Sequence, residues 1–177
     1  MNSADGTPVQ VALLPDAGPL ITLAYARALD LLLRPGWQVR IVDMVLHEVT
    51  RNATPSSDTI RRWVDSNPVS IVTTRTFQRL QAERNHSGEV RKNNLGELSA
   101  QEAMHEMALN ETGLVGVFLF EDHKIARASF MLPENCRKVS TRAYLQFLEE
   151  KGWIASAAEV ERAAITRGRH FSQLRFP

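Results

Sequence analysis

Apolar positions along the chain fall into two alternating kinds of run. Residues 9–14 form a nearly continuous apolar stretch closed by Pro15, and the segment that follows, 20–33, carries Ile21, Ala24, Tyr25, Ala28 and Leu32 at helical spacing. A strand followed by a helix is expected. Pro35-Gly36 stops that helix, 38–42 reads as a second strand, and Asp43 stands where it can cap a helix over 44–51. After a polar loop at 52–58 come a helical piece at 59–65, a short strand at 69–72 and a helix at 76–84.

The most polar stretch, NHSGEVRKNN at 85–94, is expected as a loop. A helix over 96–111 and the most apolar strand, 114–120, follow. Helical spacing resumes at 122–129, then a short strand at 138–140 and a helix at 142–151 ended by Gly152. The tail opens with a Ser-x-x-Glu box at Ser156 and Glu159, predicts a helix over 156–167 and ends in a basic segment with Arg162, Arg167, Arg169, His170 and Arg175. That segment reads as a solvated terminal helix. Alternation of strands and helices predicts an α/β fold: a mostly parallel sheet covered by helices on both faces. The expected division is a main domain over 1–152 and a helical, basic extension over 153–177, packed on that domain or trailing from it.

Composition narrows the function. With 177 residues and 44% hydrophobic content the chain is long enough to bury about two thirds of its unfolded surface in one core. Charges nearly cancel, 21 Lys plus Arg against 20 Asp plus Glu, so an RNA partner has to be sought in local clusters rather than in bulk charge. The single cysteine, Cys136, excludes an internal disulfide and a cysteine-rich zinc site. No basic-then-apolar leader and no run near the ~20 apolar residues of a membrane span is visible, so a cytoplasmic protein with no membrane partner is expected.

Candidate chemistry lies in acids at predicted strand ends, where ligands of open α/β sheets bind. Asp16 follows the first strand, Glu48 lies about one helical turn beyond the second, and the doublet Glu121-Asp122 follows the apolar strand. On the helix starting near Gly96, Glu97 continues the apolar stripe of Ala100, Ala103, Met104 and Met107, whereas Glu102 lies almost opposite. Carboxylates without cysteine or paired histidine favour a hard cation, Mg²⁺ or Mn²⁺, and none of the five histidines shows zinc spacing. Lys124 and Arg127, just past Asp122, are candidates to contact phosphate beside a bound cation, with an exposed helical face as the other reading. A receiver domain is disfavoured by the single acid in LLPDAGPL, and a dinucleotide fold by the lack of G-x-G-x-x-G after the first strand.

The segments LLPDAGPLITLA, VLHEVTRN, NLGELSAQEA and LFEDHKIAR, in that order, resemble the PIN domain family over roughly residues 9–152. The resemblance implies a three-layer α/β/α fold and an acidic pocket for one or two Mg²⁺ or Mn²⁺ ions. It implies an endoribonuclease acting on single-stranded RNA and toxin-like, with a small antitoxin and a homodimer as expected partners. Asp16, Glu97 and Asp122 would then hold the cation, with Glu121 as the alternative to Asp122 and Glu102 as the alternative to Glu97. Glu48 would be a further ligand or orient the water. The other reading is a PIN-fold protein that binds nucleic acid or a partner with little turnover.

Overall fold

The structure is a computed structural model and describes residues 9–87, 95–121 and 130–170. Five strands form one parallel sheet: β1 Gln10–Pro15, β2 Gln38–Val42, β3 Val69–Val72, β4 Leu114–Phe120 and β5 Cys136–Ser140. Their order is β3-β2-β1-β4-β5. β1 is therefore central, pairing Ala12 with Gln38 of β2 on one side and with Gly116 of β4 on the other. Its Ala12, Leu13 and Leu14 are wholly buried, as a strand covered on both faces requires. The α/β expectation holds, in a three-layer α/β/α arrangement.

Seven α-helices flank the sheet among the described residues: α1 Ala17–Ala26, α2 Asp43–Thr50, α3 Pro55–Ser66, α4 Arg75–Ser87, α5 Leu95–Asn110, α6 Thr141–Glu150 and α7 Ala157–Thr166. α5 seats closely on β4 because Gly116 has no side chain. A Cβ there would lie 2.5 Å from Met107 Cε, 2.7 Å from Cys136 Sγ and 2.9 Å from Met104 Cε. Gly116 and its pleat partner Phe118 thus face the α5 side, and odd-numbered neighbours face the other.

Three element boundaries differ from the sequence reading. The helix expected over 20–33 is two pieces, because Arg27 takes a left-handed conformation (φ 57°). There Ala28 N–H donates to the Leu23 carbonyl at 2.8 Å and Arg27 N–H to that of Ala24 at 3.0 Å, a Schellman closure. A 3-10 segment, Leu29–Leu33, continues by burying Leu29 and Leu32, which is why the apolar spacing runs across the break. α3 starts four residues early, since Pro55 occupies the first helical position and Thr54 and Ser57 cap each other's backbone N–H. α4 extends through 85–87, expected as loop; residues 88–94 lie outside the described residues.

α7 lies against α1 and α6, with Ala157 and Ala164 buried, and Ser156 accepts from Glu159 N–H at its start. α7 is thus docked along one face, while Arg162, Arg167 and His170 are exposed to solvent. No helix among the described residues is long and apolar enough to cross a membrane.

Candidate functional site

β1's neighbours in space are β2 on one side and β4 on the other, so the crossovers diverge at the β1–β4 boundary and leave a crevice at the carboxyl ends. Asp16 leaves β1 at this point, and its backbone N–H donates to the Leu119 carbonyl of β4 at 2.9 Å. Asp16 has the extended backbone of a helix N-cap (φ −75°, ψ 175°), yet its side chain makes no capping hydrogen bond. Pro19, three residues on, lacks one of the two N–H groups that an N-cap carboxylate can receive; the other belongs to Gly18. Asp16 thus stands at the switch point as a cap residue whose side chain does not cap.

Two other acids near the carboxyl ends are committed to structure. Asp43, 8% exposed, accepts from Met44 N–H (2.7 Å) and the Thr74 hydroxyl (2.8 Å) on Oδ1, and from Thr74 N–H (2.7 Å) on Oδ2. It is the first residue of α2 rather than its cap, and it ties the exit of β2 to that of β3. Glu102 accepts from Arg75 N–H at 2.6 Å and from the backbone and hydroxyl of Thr76, closing the open amides of α4. Burial pushes its carboxyl up, but the Thr76 and Arg75 hydrogen bonds outweigh that and hold it below the usual carboxylate range.

Glu48 and Glu97 are different: neither makes a side-chain hydrogen bond among the described residues. Glu48 sits against the first turn of α5, where a Cβ on Gly96 would lie 3.1 and 3.2 Å from its two oxygens. A Cβ at this position would crowd the carboxylate of α2, so glycine at the start of α5 gives Glu48 its room. Burial pushes the Glu48 carboxyl above its ordinary range, with Arg51 pulling weakly the other way. Glu97, next to Gly96, is half-buried.

Glu121 leaves β4 on the opposite side of the sheet from α5. It packs on Gly18, where a Cβ would lie 3.0 Å from Glu121 Cβ, and its Oε2 accepts from the Thr22 hydroxyl and from Arg169 Nη2, each at 3.0 Å. Its Oε1 is buried and has no hydrogen-bond partner among the described residues. Neither Thr22 nor Arg169 is expected at this place from the sequence: Thr22 carries no local signal, and Arg169 reads only as part of the basic tail. Asp122, Lys124 and Arg127, with the helix expected over 122–129, lie outside the described residues.

The donor set is all oxygen, which suits a hard divalent cation. Among the described residues no three His, Cys, Asp or Glu side chains are gathered closely enough to hold one. The described histidines serve other ends: His47 Nε2 lies 3.1 Å from Arg84 Nη1 with its ring 5.3 Å from that of Phe77, and His86 and His105 bond helix carbonyls. No family model matches this chain, and no curated protein matches it.

Proposed function

We propose that this chain is a PIN-type endoribonuclease, dependent on Mg²⁺ or Mn²⁺, acting on single-stranded RNA in a toxin-like role. The observation that carries the reading is Asp16, placed at the β1–β4 switch point with a side chain that makes no helix-capping hydrogen bond. Asp16, Glu97 and Asp122 are the proposed cation ligands. Among the described candidates, Glu102 is withdrawn from that role by its bonds to α4, and Glu121 by its pairing with Arg169 on the α1 side, which favours Glu97 and Asp122 as the alternatives. A divalent cation held there would supply an activated water for in-line attack on a phosphodiester and would stabilise charge on the leaving oxygen. Glu48, held above the usual carboxylate range by burial, is suited to orient that water and accept its proton. Lys124 and Arg127 are proposed to bind the phosphate.

The second reading is a PIN-fold protein that binds RNA or a protein partner with little turnover. It is favoured by one observation: the Glu121 carboxylate is already paired with a cation of its own chain. Labelled single-stranded RNA incubated with Mn²⁺ or Mg²⁺ separates the two. Wild type should cleave, and Asp16→Asn and Asp122→Asn should each lose at least a hundredfold in rate. Binding without cleavage supports the second reading, and equal cleavage by all three proteins refutes the first. A small antitoxin and a homodimer belong to the same proposal, and light scattering of the purified chain tests the dimer.

A further inference from the structure

Two basic side chains in the last turn of α4 behave differently. His86 bonds back to the Ala82 carbonyl of its own helix through Nδ1, whereas Arg84 reaches across to α2, where its Nη1 lies 3.1 Å from His47 Nε2. Arginine carries only donors, so the imidazole accepts on Nε2, and a neutral acceptor leaves the guanidinium charge uncompensated. The His47 ring is held in turn by the Phe77 ring, with 5.3 Å between centroids. Arg84 is half-buried, yet among the described residues it forms no ion pair.

A second arginine stands one turn along α2. Arg51 keeps helical backbone (φ −64°, ψ −30°) and its N–H donates to the His47 carbonyl at 2.8 Å, which sets it on the same side of α2 as His47. It is exposed and forms no ion pair among the described residues. Glu48 feels its charge, but burial holds that carboxyl above its ordinary range, so Glu48 answers Arg51 less fully than an exposed carboxylate does. The negative ends of α2 and α4 favour a cation in each last turn. That effect fades within a turn and does not explain why Arg84 leaves the end of its own helix and brings its charge to the side of α2 that Arg51 occupies. Like charges gathered on one face are unfavourable until an anion joins them.

We propose that Arg84 and Arg51 form an anion subsite on the rim between α2 and α4, which takes a phosphate group of single-stranded RNA without the help of a cation. RNA as the source of the phosphate rests on the reading above, while the anion chemistry rests on the two arginines. One arm of the Arg84 fork is spent on His47, and its remaining N–H groups are free to pair with two phosphate oxygens. α2 follows β2 directly and its Glu48 meets the first turn of α5, so the subsite lies at the end of the sheet where Asp16 emerges.

The test is fluorescence anisotropy of a labelled single-stranded RNA in EDTA, with a salt titration for each variant. Wild type should bind. Arg84→Gln should weaken binding several-fold and flatten the slope of log affinity against log salt by about 0.7, the share of one phosphate contact on a single strand. Arg84→Lys should keep the slope and lose affinity, because a point charge replaces the fork. Arg79→Gln removes the same charge from an exposed position of α4 and should leave both quantities near wild type. Equal losses in Arg79→Gln and Arg84→Gln overturn the subsite, as does an Arg84→Gln variant that binds like wild type. A wild type that binds in EDTA but never cleaves refutes the nuclease reading and keeps the subsite. If wild type binds no RNA, thermal melts with inorganic phosphate decide: a rise that Arg84→Gln lacks keeps the anion subsite and removes RNA as its occupant, and no rise overturns both.

Discussion

Replacing Asp43 by alanine removes a carboxylate that satisfies three donors at once: Met44 N–H, Thr74 N–H and the Thr74 hydroxyl. The hydroxyl keeps company, because Ser99 Oγ lies 3.4 Å away and Phe77 N–H donates to it at 3.2 Å. The two backbone amides do not, and Asp43 and Thr74 are 8% and 1% exposed, so water reaches the site poorly. Each orphaned buried donor costs about 1–3 kcal/mol, so Asp43→Ala should destabilise by about 4 kcal/mol. That is a large part of the roughly 5–15 kcal/mol of a typical domain. In a chain of this length it corresponds to a fall in melting temperature of roughly 8–16 °C. Asp43→Asn keeps the shape and one acceptor oxygen but sets an amide N–H₂ against one former donor, and should cost about 1–3 kcal/mol. Urea unfolding followed by the fluorescence of the three tryptophans measures both. A loss under 1 kcal/mol for Asp43→Ala, or equal losses for the two variants, would refute the account of Asp43 as the tie between β2 and β3. The cation response of both variants should match wild type, because Asp43 is not among the proposed ligands.

Three further outcomes follow from local geometry. Glu48 is held above its ordinary range, so the folded chain keeps this proton to higher pH than the unfolded chain; stability should fall as pH rises from the ordinary carboxylate value through the raised one. Glu48→Gln should therefore be more stable than wild type near pH 7 and no different below about pH 4, measured by urea unfolding at both; the same gain at both pH values refutes it. Gly116→Ala places a Cβ against Met107, Met104 and Cys136, and should cost about 1–3 kcal/mol. Part of that loss should return in Gly116→Ala/Cys136→Ala, since the methionine ends can swing aside and the cysteine sulfur cannot. Arg27→Gly relieves a left-handed residue at an exposed helix end and should raise the melting temperature by about 2–4 °C, after the extra entropy of glycine in the unfolded chain is counted.

The layout was legible where burial is continuous. β4 coincides with its apolar run because a strand buried along its length leaves no polar position to confuse its edges, while β2 and β3 kept their bounds although Arg40 and Ser70 interrupt them and β3 is an edge strand with Ser70 and Ile71 exposed. Boundaries were lost where a side chain bonds backbone beyond its own periodicity: the Thr54–Ser57 cap makes a helix start look like polar loop, and Arg27 breaks α1 without a glycine to signal it. Ranking the acids needed contacts far apart in sequence. Asp43 and Thr74 are 31 residues apart, Arg75 and Glu102 are 27, and Glu121 and Arg169 are 48, so no local spacing distinguishes these structural carboxylates from Asp16 or Glu48.

The doublet Glu121-Asp122 shows what strand geometry adds to such a reading. Gly116 faces Met104 and Met107 of α5, so by the two-residue pleat Glu121 belongs to the other face, and its bonds to Thr22 and Arg169 place it on the α1 side. Glu48 and Gly96 meet on the side of α2 and α5. Glu121 therefore has a structural task visible in its contacts, whereas Asp122 lies outside the described residues. The first is tied down by the protein's own arginine and anchors the strand exit, which leaves the second as the one to propose for the cation. That division makes a sharp contrast between two substitutions: in Mn²⁺ titrations Asp122→Asn should abolish binding, whereas Glu121→Gln should weaken it no more than Arg169→Gln does. The reverse order would make Glu121 the ligand and Arg169 the cation's competitor for it.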